Sequence, residues 1–288
     1  MSAQTQGRGS TTPRTALVTG GASGIGRAFC DELARRGVRV VVADRQVDLA
    51  DAVARDIRAA GGRATVAELD VRDVECFKRV VSELVADAGR LDYLFNNAGI
   101  AVSAEIKDHE PADWDDVFDV NIRGVAYGIV AAYPVMIRQG FGHIVNTASM
   151  AGLVGGGHLG AYTASKHAVV GLSKALRLEA RPYGVRVSVV CPGLIRTPIM
   201  EGGRFGRIKL ETDMSRMRVE YERLRPMAPE ALARRVLDAV ERNRAIIIAP
   251  RWWKLIWYLE RLSPALAERF GYIAYRRARR MIETARVD

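Results

Sequence analysis

Tyr162 and Lys166 stand four residues apart in the run Tyr162-Thr163-Ala164-Ser165-Lys166. On a helix that spacing places both side chains on one face. A tyrosine hydroxyl at its ordinary pKa of about 10 is a poor base near neutrality, and an ammonium beside it stabilises the phenolate and lowers that value. The pair suits removal of a hydroxyl proton from an alcohol as a hydride leaves the adjacent carbon. By itself the spacing recurs by chance in many helices, so its weight comes from its neighbours. Ser149 lies upstream across a glycine-rich loop, just past the strand-like run Gly142–Thr147. Parallel sheets place their sites at the carboxyl ends of their strands, where a hydroxyl can hold a substrate oxygen and stabilise developing charge.

A second constellation lies near the N-terminus, where Thr19-Gly20-Gly21-Ala22-Ser23-Gly24-Ile25-Gly26 follows a β-branched run and opens a segment of helical period. Glycines there let the backbone turn sharply and approach a pyrophosphate, whose charge is stabilised by the amides at the helix start. Asp44 closes the next strand-like run at about the distance at which an acidic residue meets an adenosine ribose. Its carboxylate can accept from both ribose hydroxyls and repels the extra phosphate of NADP, so the expected cofactor is NAD. Arg45, the next residue, is the basic group that could oppose that choice.

These residues need a frame. Short β-branched runs at Thr15–Thr19, Val38–Ala43, Ala64–Glu68, Leu91–Phe95, Gly142–Thr147, Val185–Val190 and Ala245–Ile248 alternate with helical segments at Gly26–Arg36, Asp48–Ala60, Val74–Ala88, Trp114–Gln139, Tyr162–Arg181 and Pro229–Arg242. That alternation predicts an α/β fold, a doubly wound seven-stranded parallel sheet with a C-terminal helical extension. The expected organisation is a disordered lead-in over 1–13, a dinucleotide-binding domain over 14–250 with a mobile flap at 194–226, and a basic amphipathic tail over 251–288. Met200, Phe205, Met214 and Met217 in the flap offer an adaptable apolar lining.

With 288 residues, 49% of them hydrophobic, the chain can bury a large core. The three cysteines, Cys30, Cys76 and Cys191, are scattered, and the four histidines lack ligand spacing, so no metal and no disulfide framework is expected and a cytoplasmic setting fits best. No run reads as a bilayer span, which leaves attachment to a membrane surface open. The net charge of +10 is uneven: residues 251–288 hold nine Lys/Arg against four Asp/Glu. A local basic surface follows, rather than a nucleic-acid groove across the domain.

The spacing Thr-Gly-x-x-x-Gly-x-Gly at Thr19–Gly26, with Asp70-Val71, Asn96-Asn97-Ala98-Gly99, Tyr162-x-x-x-Lys166 and Pro192-Gly193 with Thr197, resembles the short-chain dehydrogenase/reductase family and its Rossmann fold from about Thr15 to Pro250. The resemblance implies that Gly20, Ser23, Gly24, Ile25 and Gly26 lie along the pyrophosphate, Asp70 and Val71 at the adenine, Asn96 against the cofactor, and Ile195 and Thr197 at the nicotinamide carboxamide. It also implies that Asn121 joins Ser149, Tyr162 and Lys166 in a proton relay, with Lys166 on the nicotinamide ribose. Family members commonly pair through two long helices, here Trp114–Gln139 and Tyr162–Arg181, so a homodimer or homotetramer is expected. The reading is an NAD(H)-dependent oxidoreductase for a small-molecule alcohol or ketone, with a lipophilic secondary alcohol favoured. Its alternatives are an NADPH-dependent ketone reductase of lipid or polyketide metabolism, which Asp44 weakens, and a non-enzymatic dinucleotide sensor, which Tyr162 and Lys166 weaken.

In the tail, Trp252, Trp253, Leu255, Ile256, Trp257, Leu259 and Leu262 cover one broad helical face, and Arg276, Arg277, Arg279 and Arg280 add a basic cluster farther on. Ser263-Pro264 suits the start of a new helix, which carries Leu266, Phe270, Ile273 and Met281. Two roles suit this composition: packing on the flap or a partner subunit, or a peripheral contact with anionic lipid.

Overall fold

The computed structural model describes residues 13–201, 203–210 and 214–284. Most of the lead-in therefore lies outside the described residues, as do the side chains of Met200, Met214, Met217 and Met281. In the first half, β1 (Thr15–Thr19), α1 (Gly24–Arg35), β2 (Arg39–Asp44), α2 (Val47–Ala59), β3 (Arg63–Glu68), α3 (Val74–Ala88) and β4 (Tyr93–Asn96) alternate as the periodicity demands. A short β5 (Ala101–Ser103) precedes α4 (Pro111–Phe118), α5 (Gly124–Gln139), β6 (Gly142–Thr147), α6 (Gly160–Ala180) and β7 (Val185–Pro192). Then come β8 (Gly206–Ile208), α7 (Met214–Arg223), α8 (Pro229–Glu241), β9 (Ile246–Ala249), α9 (Trp253–Leu262) and α10 (Pro264–Thr284).

Seven parallel strands form one sheet in the order β3-β2-β1-β4-β6-β7-β9. Chain order reverses between β1 and β4, which opens a crevice beyond the carboxyl ends of those strands. Alternation along each strand divides the core. Leu17, Leu94, Ile144 and Val187 face one layer together with buried side chains of α3, α5 and α6. Ala16, Val18, Phe95 and Val145 face the other, against α1, α2 and α8. Phe29 on α1 meets Phe95 with ring centroids 5.0 Å apart, so the layer beneath the glycine loop is pinned by an aromatic pair.

Three regions depart from the expectations. The helix expected over Trp114–Gln139 begins at Pro111 and widens into a π turn at Asp119–Arg123, which contains Asn121. Such insertions displace a side chain from the regular helical face and recur at functional sites. The same continuous helix, Pro111–Gln139, is long and apolar enough on composition to cross a bilayer, contrary to the sequence expectation that no run would be. It nonetheless buries Val117, Val125, Ile129 and Met136 in the domain. Its apolarity serves the core.

The segment 194–226, expected as a mobile flap, holds elements of its own. β8 pairs with β5, with Val102 opposite Arg207. Arg207 Nε and Lys209 Nζ each lie 2.7 Å from a carboxylate oxygen of Asp113 on α4, which is 1% exposed. Burial pushes the Asp113 carboxyl up, but bonds from Lys209, the Glu110 amide and Arg207 outweigh it and bring the pKa down to about 2. The flap is thus tied to the domain by charge-assisted bonds.

Candidate active site

The crevice at the strand ends forms a cleft of about 490 Å³. Gly20 (φ +65°) and Gly24 (φ +52°) turn the chain between β1 and α1. A Cβ on Gly26 would stand 2.0 Å from the Gly20 carbonyl oxygen, so only glycine lets α1 start this close to the loop. Gly20, Ser23, Gly24 and Ile25 line the cleft; Gly26 packs behind them.

Asp44 is the last residue of β2, is 7% exposed, and lines the same end. Its Oδ2 accepts the Ala22 amide at 3.2 Å and its Oδ1 the Gln46 amide at 3.0 Å. Two bonds to one carboxylate leave acceptor capacity for a diol such as a ribose. Asp70 and Val71 line the cleft nearby. Arg72 grips the Asp70 carboxylate through Nε and Nη2 at 2.6 to 3.0 Å, and those bonds hold the Asp70 carboxyl below its ordinary range. Arg45 and Arg72 stand at this end of the cleft as well.

Asn96, expected against the cofactor, does not line the cleft. It is 2% exposed and donates through Nδ2 to Asn146 Oδ1 at 2.9 Å, behind the strand ends. Asn97 lines the cleft instead, donating to the Thr19 carbonyl at 3.1 Å, and the amides of Asn97 and Ala98 reach Thr19 Oγ1 at 3.0 and 3.1 Å. The cause is the period of a strand. Residue 96 is still in β4 and points to one face of the sheet, whereas residue 97 lies beyond the strand end.

Tyr162 sits in the first turn of α6 and Lys166 one turn on, both lining the cleft. Lys166 Nζ stands 5.5 Å from the centroid of the Tyr162 ring and donates to the Thr147 carbonyl at 2.9 Å. Ser149 reaches Tyr162 through a side-chain hydrogen bond, while its Oγ accepts the Ala151 amide at 3.1 Å. Burial pushes the Tyr162 phenol up, and the Ser149 bond offsets this only in part. The lowered phenol pKa expected from the ammonium is thus not what these surroundings produce. Lys166 is 3% exposed, and burial brings its pKa down to about 8. At neutral pH it remains mostly charged.

Asn121 is fully buried and outside the cleft lining. Its Oδ1 accepts the Ile100 amide at 2.9 Å, and its Nδ2 donates to the Ile100 carbonyl and Ser165 Oγ at 3.0 Å each. The Asn121 amide therefore clamps the strand-end loop to α6. A Cβ on Gly99 would lie 3.2 Å from Asn121 Oδ1 and 3.3 Å from Lys166 Nζ, so Gly99 separates the two by little more than its own backbone.

After β7, Ile195 and Thr197 line the cleft, Thr197 standing over the glycine loop with its Cβ 3.5 Å from where a Gly24 Cβ would be, and Val102, Leu159, Ile199, Phe205 and Tyr221 add an apolar wall. Thr147, Asn97, Gly99 and Leu159 carry weight here that the sequence reading did not assign. Thr147 acts through a backbone carbonyl, which residue type cannot reveal; Asn97 and Gly99 were visible as neighbours of Asn96.

A family model described as short chain dehydrogenase matches residues 14–204 of this chain. The chain belongs to the short-chain dehydrogenase family. This short-chain dehydrogenase is 38% identical over 193 residues to the cyclopentanol dehydrogenase of Comamonas sp. (strain NCIMB 9872), covering 67% of this chain and 77% of that one. It is 40% identical over 190 residues to the cyclohexanol dehydrogenase of Acinetobacter sp. (strain SE19), covering 65% and 75%. Among solved structures, a short-chain dehydrogenase/reductase from Burkholderia phymatum in complex with NAD superposes with a TM-score of 0.79 at 30% identity, covering 88% of this chain and 95% of that chain. A metagenomic short-chain oxidoreductase in complex with NADP gives 0.60 at 38% identity, covering 64% and 83%. The dehydrogenase therefore has relatives with either dinucleotide. The glycine-backed cradle and the buried Asp44 carboxylate fit a bound dinucleotide of this kind.

Proposed function

We propose that this short-chain dehydrogenase interconverts a lipophilic secondary alcohol and its ketone with NAD(H). The observation that carries the reading is the convergence of Tyr162, Lys166 and Ser149 in one cleft with Asp44 at its other end. A bound nicotinamide supplies the hydride acceptor or donor. Gly20, Ser23, Gly24 and Ile25 hold the pyrophosphate, Asp44 the adenosine ribose, Asp70 and Val71 the adenine, and Ile195 and Thr197 the carboxamide. Ser149 donates to the substrate oxygen and orients it. In the oxidising direction Tyr162 first gives up its own proton to solvent, then takes the hydroxyl proton as a phenolate and returns to the buried phenol, with the Lys166 ammonium 5.5 Å from its ring offsetting the charge in between. In the reducing direction the buried phenol returns that proton to the carbonyl oxygen. Asn121 positions Lys166 across Gly99. The apolar wall of Val102, Leu159, Ile199 and Phe205 favours hydrocarbon substrates.

A second reading, an NADPH-dependent ketone reductase, draws on Arg45 and Arg72 at the Asp44 end of the cleft. Asp44 argues against it, because burying a phosphate dianion against a fixed carboxylate costs more than two exposed guanidinium groups return. The experiment that tests the main reading is an absorbance assay of the reduced nicotinamide over a panel of alicyclic secondary alcohols. Turnover with NAD on at least one of them supports it, and no turnover with either dinucleotide on any of them removes it.

Association and location complete the reading. Val130 on α5 and Leu178 on α6 are 53% and 77% exposed, apolar faces suited to a twofold contact between copies in a homodimer or homotetramer. We place the protein in the cytoplasm, resting on an anionic membrane through the outer face of α9 and α10. That face carries exposed Trp252, Leu255, Tyr258, Leu262, Phe270 and Ile273 beside exposed Arg251, Arg261, Arg269 and Arg276. Aromatic and basic side chains on one face suit an interface of hydrocarbon and phosphate.

A further inference from the structure

The loop over 153–160 joins the Ser149 turn to α6 and contains Gly155, Gly156 and Gly157 in succession. Such a stretch brings almost no side chain of its own to hold it in place. It nevertheless carries Leu159 into the cleft wall and leads directly into the turn that bears Tyr162. His158 has φ +61°, a left-handed conformation that a non-glycine residue keeps only where its surroundings impose it.

Packing against this loop comes from α10. The Tyr275 ring lies against the loop, with Cδ2 2.5 Å from where a Gly157 Cβ would stand and its centroid 5.0 Å from that of the His158 ring. Its hydroxyl donates to Glu105 Oε1 at 3.1 Å. Glu105 belongs to the opposite rim, two residues beyond β5. Ala104 links the two rims directly, its amide donating to the His158 carbonyl at 3.0 Å and its backbone bridging to Leu159. Arg279 Nε, one turn along α10, is 3.8 Å from the same Glu105 oxygen. The other tail helix repeats the device, since a Cβ on Gly193 would stand 2.1 Å from Trp253 Nε1, and Gly193 also lines the cleft.

We propose that Tyr275 is a specificity-determining, positioning residue, a staple that joins the Glu105 rim to the Gly157–His158 loop and so fixes the substrate end of the cleft. The ring supplies the packing that consecutive glycines cannot. Tyr275 touches no reacting atom. Its effect passes through Leu159, whose placement sets how closely the apolar wall meets a substrate. The kinetic consequence rests on the dehydrogenase reading above; the structural consequence does not.

The test compares full-length wild type, Tyr275→Ala and Tyr275→Phe, with Gly157→Ala as a second route that puts a methyl where the ring lies. Hydrogen exchange is followed over residues 153–161, together with steady-state kinetics on cyclohexanol and NAD affinity. Tyr275→Ala and Gly157→Ala should speed exchange in that segment and raise KM for the alcohol about tenfold, equivalent to some 1.4 kcal/mol. Turnover number and NAD affinity should stay near wild type, and Tyr275→Phe, which keeps the ring on the loop but loses the bond to Glu105, should fall between wild type and Tyr275→Ala in exchange and in KM. Unchanged exchange over 153–161 in both disrupting variants would overturn the proposal. So would a lowered Tm with unaltered KM, the mark of ordinary packing. A wild type without alcohol turnover would sink the dehydrogenase reading while leaving exchange to decide the staple.

Discussion

Lys166 Nζ donates to the Thr147 carbonyl oxygen at 2.9 Å, so the ammonium proposed for the relay is aimed by the last residue of β6. Register extends the relationship, because Thr147 pairs with Val190 in β7. The sheet itself therefore fixes where the charge stands, and α6 supplies only the spacing.

That burial has a stability cost with a definite sign. Lys166 has a folded pKa of about 8, below the unfolded value of about 10.4. Between those values the unfolded chain binds the proton and the folded chain does not, so stability rises with pH across that window and is lowest, on this account, below it. The cost at pH 7 is about 3 kcal/mol. Replacing Lys166 with Met should raise the stability in urea at pH 7 by about 2 kcal/mol, flatten the rise between pH 8 and 10.5, and abolish turnover. Urea melts at a series of pH values measure both effects. A variant less stable at pH 7 than wild type would contradict the assignment.

Asp44 should govern the choice of dinucleotide. The wild type is expected to prefer NAD over NADP in kcat/KM, and Asp44→Ala should cut that preference at least tenfold, mainly by improving NADP. Parallel titrations with both dinucleotides check it. Preference for NADP in the wild type would transfer control of the ribose end to Arg45 and Arg72.

The tail should bind anionic vesicles in a manner that weakens with salt. Replacing Leu255 and Leu262 together by Ser removes two side chains that are 72% and 83% exposed, so the fold should persist while co-sedimentation with vesicles rich in phosphatidylserine falls. Retained sedimentation in that variant would refute the lipid contact. Dissociation of an oligomer in the same variant would give the face to a second copy of the chain.

Much of this was legible in residue order, for identifiable reasons. The inner strands announce themselves most clearly where a parallel sheet buried on both faces demands continuous β-branched runs, as in Arg39–Asp44 and Val185–Pro192. Tyr162, Lys166, Ser149 and Asp44 were readable because each sits at a fixed offset from a strand end or a helical face. Less local features were not readable. β5 and β8 span three residues each, too short to show a period, and their pairing joins residues far apart in sequence. The π turn around Asn121 leaves no composition signal, since widening a helix by one residue changes geometry and not residue type. In the tail, the apolar face expected as one surface is split: Trp253 and Trp257 pack on the core, while Trp252, Leu255 and Leu262 face outward. A face broader than a single contact can serve two directions, and periodicity does not say which residues go to which.

The central claim is that Tyr162 moves the substrate proton. Replacing Tyr162 with Phe removes one oxygen from a buried ring and little else, so the most direct measurement pairs NAD binding with single-turnover oxidation of a good alicyclic substrate by this variant. NAD affinity should stay within about twofold of wild type and the hydride-transfer rate should fall by at least about 10²-fold, the range expected for losing a positioned acid-base group. A variant that binds NAD normally and transfers hydride at near wild-type rate would contradict that claim.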